Sequence, residues 1–333
     1  MSALDPIRRV VGAVRRRLDP AAQLAARVRA RKAALAAMPQ RYTDQPRVSL
    51  LLLSFNHRAN AAPILNALRA SMADEVIVCE DGSVDGAEQE WSRLLDRPNE
   101  FLLRSNDLHE IRAYNRAVDY ARGEFVCVLQ DDDIPPADGA WVREALDLFD
   151  ADPQLAVLGG HQGYVLDVSE PLDRIKATDI VGFREGDEWA HVRPIPTRAP
   201  SLATPFMYVE GVSVGPIFFR RDVLRSLGAF DTRYSGPGEP GILFDHDVCI
   251  RAWRAGHRVG LYGPPPFRKY VGGQGTYMFG HAARRRNAVA NAQQIRDRWA
   301  ADLPAINQMT VALNQSLAPL ASDARSTGNG GRQ

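Results

Sequence analysis

The spacing of hydrophobic residues changes character along the chain. Over residues 5–18, Ile7, Val10, Val11, Val14 and Leu18 recur at helical intervals, while Arg8, Arg9, Arg15, Arg16 and Arg17 occupy the other sides. That is the pattern of a basic amphipathic helix. Pro20 interrupts it, and a second helix rich in Ala and Arg is expected over about 21–37. From residue 47 short apolar runs alternate with helical periodicity. Strands are expected at 48–53, 76–79, 101–103 and 125–129. Helices are expected at 60–70, with Ile64, Leu65 and Leu68 inward, and at about 87–95, 109–121 and 141–149. Such alternation predicts an α/β fold built on a mostly parallel, doubly wound sheet with helices on both faces.

Beyond Pro153 the pattern loosens. Residues 161–210 are poorly periodic and carry several Pro and Gly, so they read as an excursion over the active face. A strand is expected at 212–219, a short helix at 222–227, and a loop at 235–241, Ser-Gly-Pro-Gly-Glu-Pro-Gly. A helix at 245–255 stops at Gly256, a strand follows at 257–261, and a basic helix at about 281–300. The chain thus divides into a helical extension (1–41), a main domain (42–310, its halves meeting near residue 150) and a small, polar tail (311–333) expected to be disordered.

Charge sharpens this division. The net charge is only +1, but residues 1–41 hold ten Arg or Lys against two Asp, about +8, leaving about −7 for the rest. A basic amphipathic arm suits an anionic membrane surface. It lacks the interleaved aromatics of a nucleic-acid binder, so no nucleic-acid partner is expected. Cys79, Cys127 and Cys249 lie far apart in apolar contexts, as buried free thiols of a reducing compartment would. With no apolar leader and no membrane-length run, a cytoplasmic protein is expected, peripheral on the inner face of the membrane if the arm binds lipid.

The candidate chemistry gathers at strand ends. The run Phe125-Val126-Cys127-Val128-Leu129 leads directly into Gln130-Asp131-Asp132-Asp133. Three adjacent carboxylates repel one another, and a divalent cation shared with substrate phosphates is one reason to hold them together. Ser54-Phe55-Asn56 and Glu80-Asp81-Gly82-Ser83 end the first two strands. In a parallel sheet these ends converge on the edge where ligands bind. An aromatic and an Asn can hold a base, and Asp81 can accept hydrogen bonds from a base or ribose. The chain has no phosphate-binding Gly-x-x-x-x-Gly-Lys loop, no dinucleotide Gly-x-Gly-x-x-Gly after the first strand, and no Gly-x-Ser-x-Gly elbow.

Taken together these motifs resemble the family 2 glycosyltransferases of the GT-A fold. The resemblance rests on residues 48–56, on Glu75 to Gly86, and on Asn106, Arg112 and Asn115. It continues through Ala121-Arg122-Gly123-Glu124-Phe125 with the acidic run, Leu227-Gly228-Ala229-Phe230-Asp231, and Asp245 to Arg251 with Arg254-Ala255-Gly256. It covers roughly residues 47–262. It implies inverting transfer of a sugar from a nucleotide-sugar, UDP-linked, to a glycan or lipid-linked acceptor, with Mg²⁺ or Mn²⁺ on the diphosphate. A role in polysaccharide biosynthesis at the cell envelope follows by the same analogy.

By this resemblance Ser54, Phe55, Asn56, Glu80, Asp81, Arg112, Asp131 and Asp132 face the nucleotide-sugar. The acidic run is the Asp-x-Asp metal motif, read either with Asp131 and Asp133 as its pair or with Asp132 as the main ligand; the spacing to Ile134-Pro135-Pro136 favours the pair. His281 is a further candidate ligand. Glu80 stands where the family usually has Asp, and Phe244 where it has Glu, leaving Asp245 as the matching Asp. Asp245 is the expected base: it shares a helix side with Val248, Cys249 and Ala252, at a helix N-terminus that favours negative charge. Glu239, on the glycine-rich loop, and Asp247 are expected on the acceptor side. Two other readings compete: a catalytically inactive module of the same fold that binds a nucleotide-sugar or glycan, and a nucleotidyl- or phosphoryl-transferase.

Overall fold

The computed structural model describes residues 19–37, 45–71, 74–106, 109–167, 176–181, 195–236, 238–265, 267–269 and 280–320. The chain divides into two compact units, residues 1–42 with 96–99 and residues 43–95 with 100–333. In the first unit, helix α1 (Pro20–Ala37) starts where Asp19 accepts a hydrogen bond from the amide of Ala21 at 2.9 Å. Its Leu24 and Val28 are exposed. The helix expected over 5–18 lies outside the described residues.

In the second unit the alternation read from the sequence is present as β1 (Val48–Ser54), α2 (Arg58–Ala70), β2 (Glu75–Glu80), α3 (Ala87–Leu94), β3 (Glu100–Arg104), α4 (His109–Tyr120), β4 (Phe125–Gln130), a two-residue β5 (Asp133–Ile134) and α5 (Ala140–Ala151). Strands β1, β2, β3 and β4 run parallel. Alternate residues of β1 feed opposite cores. Leu50 and Leu52 pack with Ile64, Leu65, Leu68, Trp91 and Trp141. Leu51 packs on the other face with Ile111, Tyr114, Ala117 and Val118. This is the period of two that a sheet covered on both sides requires.

The remaining strands are β6 (Leu155–Gly159), β7 (Gly163–Asp167), β8 (Lys176–Val181), β9 (Thr197–Arg198), β10 (Phe206–Tyr208), β11 (Gly211–Val212), β12 (Ile217–Arg220), β13 (Arg258–Tyr262), β14 (Arg268–Lys269) and β15 (Ala318–Pro319). The main sheet has eight strands in the order β10-β13-β6-β12-β4-β1-β2-β3. Within it β12 is antiparallel to both β4 and β6, and β10 is antiparallel to β13. The rest share one direction, so the architecture is the mostly parallel α/β sheet of the GT-A type. A smaller sheet, β11-β7-β8, forms out of the excursion read as irregular.

Four expectations need correction. The single strand at 212–219 is two, because Gly215 takes a φ of +97° and turns the chain between β11 and β12. Strand β6 was not read from the sequence, although Leu155 to Gly159 is wholly buried. Residues 311–320, placed in the expected tail, are structured, since helix α9 (Leu303–Asn314) crosses 311 and β15 pairs with β9. The helix at 245–255 is present as α7 (Phe244–Arg254), following the short α6 (Arg221–Ser226), but it is buried on both sides. The basic helix is α8 (Gly280–Trp299). Among the described residues no helix is long and apolar enough to cross a membrane. All three cysteines are buried and free. Burial, with Asp81 nearby, pushes the Cys79 thiol up to about 12.

Candidate active site at the carboxyl edge of the sheet

The ends of β1, β2 and β4 meet as expected, and the acidic turn ties them together. Asp131 is the knot. Its Oδ2 accepts the backbone N–H of Phe55 at 2.8 Å, and its Oδ1 lies 2.7 Å from Nδ1 of His57. Its carbonyl accepts from the Asn60 amide at 2.8 Å. Burial pushes the Asp131 carboxyl above its ordinary range, and Asp132 adds repulsion; the bonds from His57 and Phe55 pull it back down. His57 lies one residue past the expected nucleotide loop, outside the motif residues of the sequence. Its position next to Asn56 is the only signal that could have found it.

Asn56 adopts a φ of +55°, a conformation Asn tolerates better than most residues. It clasps the second strand's turn: its N–H donates to Ser83 Oγ at 2.9 Å, and its Oδ1 accepts from Val84 N at 2.8 Å. Glu80 is buried and spends its carboxylate on the amides of Gly82 and Ser83, at 3.3 and 2.8 Å. Ser54 is fully buried, and its hydroxyl accepts the Trp91 indole N–H at 2.9 Å. These two side chains therefore shape the nucleotide loops from below and do not project from them, contrary to the expectation that they face the ligand. Asp81 accepts from Ser105 Oγ at 2.6 Å. Arg112 donates to the carbonyl of Ser235 at 3.0 Å, fastening α4 to the loop after the turn Thr232–Tyr234.

The other acids of the run differ from Asp131. Asp132 is half-buried on the turn, and its carboxylate has no hydrogen-bond partner among the described residues. Asp133 is buried in β5, whose backbone pairs with β14. A Cβ placed on Gly215 would fall 2.9 Å from Asp133 Oδ2 and 3.4 Å from Gln130 Oε1, so only glycine lets this loop close on the acids.

The same loop reaches the candidate base. Val214 N–H donates to Asp245 Oδ2 at 3.2 Å, and the amide of His246 donates to Asp245 Oδ1 at 3.0 Å. Asp245 remains half-buried in the first turn of α7. The structure thus brings the acidic turn and Asp245 together through residues 214–215. It does not bring Asp247 with them. Asp247 is fully buried; its Oδ1 accepts from Tyr234 Oη at 3.0 Å, Trp299 Nε1 at 2.8 Å and Arg298 Nη1 at 3.2 Å, and its Oδ2 from Arg251 Nε at 2.7 Å. Buried behind these four side chains, it does not face an acceptor, which corrects that expectation. Glu239 is exposed and turns back on its own loop, accepting from Gly236 N at 3.3 Å. His281 lies on α8, its side chain outside the described residues.

Among the described residues no three His, Cys, Asp or Glu side chains are grouped to enclose a metal ion unaided. The acidic turn still fits a hard divalent cation, because Mg²⁺ is commonly held by one or two carboxylates and completes its shell with water and substrate phosphates. Asp132, with Asp133 behind it, offers that donor set.

Several solved structures resemble this chain. A mannosyltransferase, PcManGT from Pyrobaculum calidifontis in complex with GDP-Man and Mn²⁺, is 17% identical, with a TM-score of 0.49 over 85% of this chain and 79% of that one. Glucosyl-3-phosphoglycerate synthase from Mycobacterium tuberculosis, in complex with Mg²⁺ and UDP, is 14% identical, with a TM-score of 0.47 over 74% of this chain and 77% of that one. S. aureus TarS 1-349 is 17% identical, with a TM-score of 0.43 over 66% of this chain, which spans only 59% of the TarS fragment. No curated protein matches the chain significantly. The model of one protein family, Glycosyl transferase family 2, matches residues 49–224. With more than half its length matched, including the acidic turn and the strands that hold it, the chain belongs to glycosyl transferase family 2.

Proposed function

We propose that the chain transfers a sugar, with inversion at the anomeric carbon, from a UDP-linked or related nucleotide-sugar to a glycan or lipid-linked acceptor. The observation that carries this reading is the division of labour in the acidic turn. Asp131 is consumed in joining β4 to the loop after β1, and Asp132 is left unpartnered at the same edge. Because Asp131 is held by the His57 ring as well as by a backbone amide, the metal-facing role passes to Asp132, with Asp133 beside it and Asp131 as their support. Asn56, Phe55 and Asp81 line the nucleotide loops. Mg²⁺ or Mn²⁺, when bound, neutralises charge that develops on the leaving diphosphate. Asp245 takes the proton of the acceptor hydroxyl as that oxygen attacks the sugar carbon from the face opposite the diphosphate. The backbone donors from Val214 and His246 hold its carboxylate in place for that transfer.

Incubation with a panel of nucleotide-sugars and Mn²⁺ tests the reading directly. Slow release of free nucleotide from at least one donor, abolished by excess EDTA, is the expected result. Tight donor binding with no release over days would favour an inactive binding module.

The partner of the amino-terminal arm belongs to the same proposal. Helix α1 carries Arg27, Arg29, Arg31 and Lys32 and no acid, and its apolar Leu24 and Val28 are exposed. Such a helix suits an anionic membrane holding a lipid-linked acceptor, each cation contributing roughly 1 kcal/mol near the surface. The enzyme is then peripheral on the cytoplasmic face. Removal of residues 1–41 is expected to abolish sedimentation with anionic liposomes and leave donor hydrolysis intact.

A further inference from the structure

With Asp247 committed to the interior, a different group of side chains stands beside Asp245. Tyr164 on β7, Gln162 just before it and Ser213 just after β11 are half-buried and bonded in a row. The Tyr164 hydroxyl donates to Gln162 Oε1 at 2.7 Å and lies 2.5 Å from Ser213 Oγ. A phenol has one proton; with that proton on Gln162, Ser213 must be the donor to Tyr164. The row then has open ends of opposite character. Gln162 Nε2 keeps two N–H donors and Ser213 Oγ keeps acceptor lone pairs, neither bonded to another described residue.

Two further observations place and qualify this row. Ser213 precedes Val214, whose amide holds Asp245, so the row abuts the candidate base. Behind Tyr164 stands the ring of His246, its centroid 4.6 Å away; the residue is 7% exposed, and its Nδ1 has no hydrogen-bond partner among the described residues. Buried polar atoms are nearly always paired, so an unpaired nitrogen beside an open-ended row marks a group one partner short. A purely structural polar wall would close on itself.

We propose that Gln162, Tyr164 and Ser213 form the subsite for a hydroxyl-bearing sugar ring of the acceptor, with His246 as a positioning residue behind Tyr164. The inference rests on the glycosyl-transfer reading above. A sugar hydroxyl both donates and accepts, and neighbouring hydroxyls need a donor and an acceptor set side by side with an aromatic body between. The row supplies that arrangement, one residue from the amide that holds the proposed base.

The test uses the full chain, donor hydrolysis with Mn²⁺ as control, and methyl glycosides of glucose, galactose, mannose and N-acetylglucosamine as probes, their binding read by saturation-transfer NMR. At least one glycoside should bind the wild type. Gln162→Leu and Ser213→Ala, which remove the two open ends, should each weaken it about tenfold, as loss of a ligand hydrogen bond does, with donor hydrolysis unchanged. His246→Phe, which keeps the stacked ring, should lower glycoside affinity without changing Tm by more than a degree or two. Variants that bind like the wild type overturn the subsite. So does a wild type that hydrolyses donor and binds none of the glycosides. Glycoside binding without hydrolysis of any donor would instead overturn the transfer reading and leave the subsite standing.

Discussion

The acidic turn at Asp131–Asp133 and the first turn of α7 at Asp245–Asp247 each crowd carboxylates into a few residues, and each sorts them differently. In the turn after β4, the first acid is tied down and the second is left open. In α7, Asp245 meets two backbone amides at the rim of the sheet, and Asp247 meets four side-chain donors inside the protein. The difference lies in who donates. Backbone amides fix a carboxylate's position and leave lone pairs for a ligand or a proton. Arg251, Arg298, Tyr234 and Trp299 surround Asp247 and shut it off from any ligand. An acid can thus be assigned to chemistry or to architecture by counting the side chains that close on it.

Mutations at the two α7 acids sharpen this contrast most. Asp245→Asn keeps the shape and should lower transfer by roughly 10²–10⁴-fold while Tm and donor affinity stay near wild type. Near-normal transfer in this variant, with loss in Glu239→Gln, would move the base to Glu239. Asp247→Asn should act the other way. Leaving two arginines beside an uncharged amide costs about 3–5 kcal/mol of stability, read by urea unfolding, with donor turnover per folded molecule little changed. Equal effects of both substitutions on activity and stability would erase the distinction.

The acidic turn gives a smaller effect. Asp131→Asn weakens the junction with Phe55 and His57, and about 1–3 kcal/mol of stability should go with it. Donor hydrolysis should fall less than in Asp132→Asn, which removes no hydrogen bond to the described residues and should leave Tm unchanged. The smallest effect concerns pH. Burial pushes the Asp231 carboxyl up, but Arg233 and Arg298 outweigh it and hold it well below the ordinary carboxylate range. A carboxyl lowered in the folded state stabilises it above the unfolded group's value, about 3.9, and that stability is lost as pH falls toward the folded value. Replacing Arg233 with Met should flatten the acid limb of a Tm–pH profile below about pH 4 and leave its slope above pH 5 unchanged.

The half of the molecule before residue 151 was largely legible, because each of its strands and helices repeats one simple period and its polar strand ends follow directly on buried runs. Reading failed where two partners cover one element. In α7 helical spacing picks out the side carrying Asp245, Val248 and Cys249, yet Trp299 and Tyr234 bury Asp247 on the other, and no local signal marks a helix covered twice. Ser54 and Glu80 were placed at the right strand ends, but their side chains turn inward to Trp91 and to the next turn's amides. Helix α9 could have been found: Leu303, Ile306 and Thr310 are buried at intervals of three and four residues. Strand β6 is a five-residue buried run, too short to tell from a helix fragment by period alone.

Strand β12 runs against its neighbours, and Ile217 stands opposite both Val128 and Gly159. It acts as a gauge for the site. Its register fixes how far the Val214 amide stands from the acidic turn, and each residue of slip is worth about 3.3 Å and a reversal of faces. A single residue inserted between Val214 and Ile217 would leave the sheet intact and carry the Val214 amide away from Asp245, the proposed base. The length of that four-residue segment is therefore as much a part of the chemistry as any side chain at the edge.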